Sequence, residues 1–393
     1  MIEFKNTPKE FHKITSLYNP EYIDFSKEKL FFGKGKNTQR YDVVKYPFID
    51  KWTDNQMGQE WTHNEIKLTP DKIDFNTIQK AEKHIVTKVL QKLIFLDSLT
   101  GRGILSTLGS ICTLPELEAC LTEWQRFEIN KHSRSYTEIL RGIYDSPSEI
   151  FDESFKIPEL MYIAKSISEP YNELFELVTE YNYNIIKNIP NSKEFMKTLK
   201  KSILKFIVTV NILEGVRFYS GFASIWAINY GQGTMERTSR ILKLICRDEN
   251  LHLQVSQYLL RILRENKDED FSEVYEEFRP EILKMYEDAY LEEEVWIDVL
   301  FREGNILGLN ASIAKDYMKY LINKRLKTLR EPELFKGFNT NPIPWVENYI
   351  NYDVIESRPQ ESEVLNYKGD IINHEISDEN LNKIKRLSEI FKE

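Results

Sequence analysis

Two stretches of the chain each place a glutamate one helical turn ahead of a histidine. "FEINKH" (127–132) carries Glu128 and His132, and "DENLH" (248–252) carries Glu249 and His252. Two further acids stand alone in apolar stripes, Asp97 in "LIFLDSL" (93–99) and Glu214 in "VNILEGV" (210–216). Residues three or four apart share a helix face, so each of these side chains points where its apolar neighbours point, into a core. Four buried carboxylates with no partners would each cost several kcal/mol. A fold that tolerates them has to bring them together around positive charge. Any one Glu–His pair is common by chance, and an acid in an apolar stripe is usually a local ion pair. What narrows the choice is the order, repeated in both halves of the chain: a helix with one acid, then a helix with Glu and His.

That order matches the two-metal carboxylate arrangement of ferritin-like bundles, in which two helices supply a Glu and a His each and two more supply one carboxylate each. Two divalent ions would neutralise the four acids, and carboxylate with imidazole suits iron or manganese. The rest of the pattern is consistent with an all-α chain. Helical periodicity runs through 76–99, with an expected stop at Gly101. It continues through 114–145 behind a proline, then through 195–231, 234–265, 271–303 and 310–330, and strand signals are weak throughout. Residues 1–70 are rich in Pro, Gly and aromatics and read as an irregular segment with short helices, packed on a helical domain spanning 71–350. Residues 351–393 are charged and broken by Pro and Gly, and read as a flexible tail whose last stretch, "LNKIKRLSEIF", could form a helix on a partner.

The net charge of −9 and the lack of a basic block argue against a nucleic-acid partner. No stretch is long and apolar enough to span a bilayer, and the N-terminus lacks the apolar run of a signal peptide. Three scattered cysteines with no CxxC fit a reducing compartment, so a cytoplasmic location is expected.

One spacing is odd. His252 follows Glu249 by three residues, whereas His132 follows Glu128 by four. Tyr136 lies four residues beyond His132, on the same face one turn on. Helical offsets from Glu214 and Glu249 place Phe218, Phe222 and Ile245 around that tyrosine. A tyrosine among Phe and Ile is, taken alone, ordinary core.

Several stretches, in order along nearly the whole chain, give a resemblance to a known family. They are "RYDVVKYPF" (40–48), "FLDSLTGRG" (95–103), "PELE" (115–118), "HSRSYT" (132–137), "LEGVRFY" (213–219), "RDENLHL" (247–253), "GLN" (308–310), "NPIPW" (341–345) and "RPQESEV" (358–364). The chain resembles the small, radical-generating subunits of class I ribonucleotide reductase. The resemblance implies a ferritin-like homodimer with a di-iron centre, manganese being possible. Its ligands would be Asp97, Glu128, His132, Glu214, Glu249 and His252. Tyr136 would carry a stable radical in a pocket of Phe218, Phe222 and Ile245. The oxidising equivalent would pass through Trp61 in "QEWTHNEI", with Asp248 orienting a histidine or the tryptophan. Tyr367 in the tail would bridge to a large catalytic subunit that reduces ribonucleotides.

In that family both Glu–His spacings are three, so one residue is extra before His132. Two readings follow. In one, Trp124 and Glu128 keep their register, a π-bulge absorbs the extra residue, and Glu128 still ligates. In the other, the shift falls upstream and Ile129 takes the ligand position, leaving the centre one carboxylate short. The first is preferred, because isoleucine is a poor neighbour for a charged metal. Competing functions are a ferritin-like two-metal oxidase or oxygenase acting on a small substrate, which would have no use for Trp61 or Tyr367, and a small-subunit variant with altered metal binding.

Overall fold

The computed structural model describes Asn19 and residues 21–350. The chain runs through α1 (Pro47–Gly58), α2 (Thr69–Thr77), α3 (Lys80–Thr107), α4 (Pro115–Phe127), α5 (Ser133–Ile143), α6 (Pro147–Ser154) and α7 (Pro158–Lys187). It continues through α8 (Lys193–Ile212), α9 (Tyr219–Gln232), α10 (Glu236–Glu265), α11 (Ser272–Leu300), α12 (Ala311–Thr328) and the single turn α13 (Glu347–Ile350). Among the described residues there is no strand, only isolated bridges at Phe31–Cys112 and Ile306–Leu309.

Local chemistry explains many of the boundaries. Proline stands in the first turn of α1, α2, α4, α6 and α7, where its missing N–H costs nothing. Ser192 and Asn310 accept the backbone N–H groups of Phe195 and Ile313 at the starts of α8 and α12. Helix α9 ends on Gly233, whose φ of +71° is the left-handed conformation that glycine adopts freely.

Four rods form the centre: α3, α4 continued by α5, α8 continued by α9, and α10. The stretch Tyr219–Ile228 of α9 is buried on every side, the signature of a helix at the middle of a bundle. The segment before α3 is not a separate layer. Ile23, Phe25, Leu30, Phe31, Trp52 and Trp61 belong to the same apolar core as the bundle, and α1 packs on α4 and α10.

The rods differ from the sequence reading in three places. Helix α3 does not stop at Gly101 but runs to Thr107. The glycines there serve close packing: a Cβ on Gly101 would stand 2.8–2.9 Å from the side chains of Ile129 and Glu128, and one on Gly103 would lie 1.9 Å from the Tyr171 ring. The segment 195–231 is two helices joined by a π-turn at Leu213–Arg217. The 30-residue α7, with Pro170 inside it, was not singled out from the sequence.

Candidate metal centre

The extra residue before His132 is absorbed in a π-turn at Glu128–His132. The Ser133 N–H bonds back five residues to the Glu128 carbonyl, and the Ser133 hydroxyl donates to the same oxygen at 3.0 Å. Glu128 and His132 are buried within the bundle, while Ile129 is 40% exposed. Of the two registers open to the sequence, the fold adopts the one with Glu128 inward. Gly101 on α3 leaves the room the wide turn needs.

A second π-turn carries Glu214. Its carbonyls are held from outside: Arg325 Nε donates to Gly215 O and Lys92 Nζ to Arg217 O, each at 3.0 Å. Lys92 is itself buried, in an ion pair with Glu293 at 2.5 Å, and burial pulls its pKa down to about 8. Both acid-bearing turns are therefore locally widened helix, a geometry that clusters at functional sites.

The six side chains converge into two overlapping donor sets, Asp97–Glu128–His132–Glu249 and Glu128–Glu214–Glu249–His252, with the donor atoms of each set within 4.8 Å of one another. Glu128 and Glu249 belong to both. His132 Nδ1 lies 3.3 Å from Glu128 Oε2 and 3.2 Å from Glu249 Oε1. His252 Nδ1 lies 2.9 Å from Glu128 Oε1, 3.0 Å from Glu249 Oε2 and 3.6 Å from Glu214 Oε2. All six residues are fully buried. Both oxygens of Asp97, both of Glu214 and Oε1 of Glu249 have no hydrogen-bond partner. Buried carboxylate oxygens without donors are costly, and cations between them would satisfy the set. The residues fit a pair of metal ions.

The electrostatics reflect the crowding. Burial, then the charges of Glu128 and Glu249, push the Asp97 carboxyl well above its ordinary range. Burial, then Glu249 and Glu128, do the same to Glu214. Burial also pushes Glu128 up, but His132 and His252 outweigh it and hold this carboxyl down at about 2. Burial lowers both imidazoles. Glu249 and Glu128 overcome this at His132, and Glu128 and Glu214 at His252, so both titrate well above 6.5.

The far nitrogens of the two histidines have different partners. His132 Nε2 stands 3.3 Å from Asp248 Oδ2, and the same oxygen accepts the Trp61 indole N–H at 2.7 Å. Asp248 thus meets both the histidine and the tryptophan. His252 Nε2 faces the amide of buried Gln56 at 2.7 Å. The amide atom that meets it is the nitrogen; when Nδ1 holds a metal, Nε2 carries the hydrogen, and the amide turned over presents its oxygen, which has no other partner, to accept it. Gln56 was not foreseen, because nothing in a lone glutamine of α1 signals which histidine it will reach.

Tyr136, Phe218, Phe222 and Ile245 are all fully buried in the one core. The Phe218 and Phe222 rings stack at 5.9 Å. Burial, then the nearby Asp97 charge, raises the Tyr136 phenol well above its ordinary value of 10.0. Tyr367 and the tail lie outside the described residues. No described helix is long and apolar enough to cross a membrane.

Four rods, two shared glutamates and an inward set of four acids and two histidines define a ferritin-like carboxylate-bundle protein whose centre can hold two metal ions. Within that class the chain belongs to the ribonucleotide reductase small-chain family, whose model matches residues 40–342. It is 36% identical to the ribonucleoside-diphosphate reductase subunit beta of Buchnera aphidicola subsp. Baizongia pistaciae, over 93% of this chain and 99% of that one. It is 34% identical to the ribonucleoside-diphosphate reductase 1 subunit beta of Escherichia coli O157:H7, over 92% of this chain and 97% of that one. The fold matches the ribonucleotide reductase R2 subunit from Clostridium botulinum with a TM-score of 0.68 and 26% identity, over 82% of this chain and 94% of that one. The chain is thus a small subunit of class I ribonucleotide reductase, the part of an oxidoreductase that works with a large subunit.

Proposed function

We propose that the two donor sets hold two ions, iron or manganese, and that Tyr136 stores the oxidising equivalent the large subunit uses to reduce ribonucleotides. Asp97 and His132 would serve one ion, Glu214 and His252 the other, and Glu128 and Glu249 both. The bound pair would supply the one-electron oxidising power that removes an electron from a phenol. The observation that carries this reading is the sharing of Glu128 and Glu249 between two sets that otherwise separate by half of the chain.

The protein's own side chains supply the rest. Burial of Tyr136 keeps water and small reductants from a phenoxyl. The raised phenol pKa keeps Tyr136 a neutral phenol, so loss of an electron there is coupled to loss of a proton, and Asp97 is the carboxyl beside it. His132, Asp248 and Trp61 form a polar chain that links the centre to the indole. This supports Trp61 as the residue through which the equivalent leaves. Tyr367 and the segment 351–393 would dock the large subunit, and two copies of the chain would pair as a homodimer.

The test is reconstitution of metal-free protein with Fe(II) or Mn(II) and dioxygen, followed by metal analysis and electron paramagnetic resonance. Two ions per chain and a phenoxyl signal absent in Tyr136→Phe support the reading. Two ions with no tyrosine-derived signal under either metal would overturn the role of Tyr136.

A further inference from the structure

The π-turn before His132 also delivers Lys131. This lysine is only 4% exposed, and its Nζ donates to the Trp61 carbonyl at 2.6 Å. The ammonium sits 4.4 Å from the Phe127 ring centroid and 5.8 Å from that of Trp61. Its counter-charge is Glu60, which is 51% exposed and also paired with Arg126. Arg126 bonds Glu123 in turn at 2.6 Å. The formal charges of this cluster cancel, but Lys131 is its buried member, and water screens the others more. Asp248 accepts the indole N–H, and its other oxygen lies 3.6 Å from the Arg247 guanidinium. Trp61 thus has a carboxylate at its nitrogen and the Lys131 ammonium 5.8 Å from its ring.

We propose that Lys131 is a positioning residue that sets how readily Trp61 gives up an electron. This rests on the reading that Tyr136 and Trp61 exchange an oxidising equivalent. In that step the indole loses one electron and keeps its N–H proton or passes it to Asp248. The Tyr136 phenoxyl gains the electron and takes up one proton from its surroundings, becoming a phenol. Wherever the indole proton rests, the Trp61–Asp248 unit becomes one charge more positive beside Lys131. The ammonium opposes that change. It keeps the equivalent on Tyr136 in the isolated subunit and so limits its loss through Trp61. The extra residue in the turn thus has a second consequence besides aiming Glu128.

The experiment compares Lys131→Met, Lys131→Arg, Trp61→Phe and the double variant Lys131→Met with Trp61→Phe. The lifetime of the phenoxyl signal in reconstituted protein is followed by electron paramagnetic resonance. Lys131→Met is expected to shorten it on the order of tenfold, Lys131→Arg to leave it long, and Trp61→Phe to restore it in the double variant. A lifetime unchanged in Lys131→Met, or shortened but not restored by Trp61→Phe, overturns the proposal. A second arm needs no phenoxyl. Metal-free protein is flash-oxidised with a ruthenium polypyridyl photo-oxidant, and the indole-radical yield that disappears in Trp61→Phe is measured. Lys131→Met should raise that yield and Lys131→Arg should not; equal yields refute the role of Lys131. A parent protein that forms no phenoxyl but shows the flash effect would instead count against the reading of Tyr136.

Discussion

His252 Nδ1 stands 2.9 Å from Glu128 Oε1, joining the histidine of the second half of the chain to the glutamate of the first. Since Glu128 also lies 3.3 Å from His132, its two oxygens reach both imidazoles. Glu128→Ala should therefore impair both ion positions together, with fewer than two ions retained per chain by metal analysis. Ile129→Ala, on the exposed side of the same turn, should leave the metal content unchanged.

The hydrogen bonds behind the histidines predict a graded effect. Removing an orienting partner of a metal-bound histidine typically costs 10–100-fold in metal affinity or activity. Gln56→Leu, which removes the amide that meets His252 Nε2, should weaken metal retention by roughly that factor in competition with a chelator. Asp248→Asn should do the same and in addition perturb the Trp61 indole, visible as altered Trp61-dependent decay of the phenoxyl signal.

The pH dependence of the metal-free protein has a definite sign. Asp97 and Glu214 titrate above their ordinary 3.8 and 4.5, so the folded chain retains protons that the unfolded chain has released. Their effect lowers stability as pH rises above those values. His132 and His252, raised above 6.5, give stabilisation that is complete below 6.5 and lost as pH climbs through their folded values. Glu128 runs the other way: its contribution is present above 4.5 and lost toward about 2. Melting temperatures of metal-free protein should thus fall as pH rises above the ordinary carboxylate range and on past 6.5. Two bound ions should abolish or reverse that slope, because they take the place of the protons. A flat profile without metal would contradict the crowding of the acids.

Packing against α3 yields a prediction independent of metal. A methyl group on Gly103 would enter the Tyr171 ring, so Gly103→Ala should destabilise the fold by about 1–3 kcal/mol in denaturant titration. Gly103→Ala combined with Tyr171→Leu should recover part of the loss.

Lys92→Met takes the close cation from buried Glu293, leaving it the Ser220 hydroxyl at 2.8 Å and the Arg217 guanidinium at 3.7 Å, and frees the Arg217 carbonyl at the end of the second π-turn. Breaking a buried pair from one side costs about 3–5 kcal/mol. The same variant should loosen Glu214 and lower metal retention, measured alongside the melt. Lys92→Met with Glu293→Leu separates the two effects: stability should return more fully than metal retention, because the tie to Arg217 is still missing.

Periodicity and residue type determined much of this molecule. Acids and histidines at helical spacing inside apolar stripes have few stable outcomes, and that was enough to read an all-α carboxylate bundle and to single out the six side chains that converge. The sequence left open whether Glu128 or Ile129 faces inward, because an added residue can be absorbed anywhere along a helix at similar local cost. Tertiary packing decided it: Gly101 on α3 makes room for a wide turn, and burial separates the carboxylate from the isoleucine. Gln56 behind His252, Lys131 beside Trp61 and Lys92 under the second π-turn were likewise invisible in one dimension. Each acts across a large sequence separation, and a hydrogen bond or ion pair between distant segments leaves no local periodicity to read.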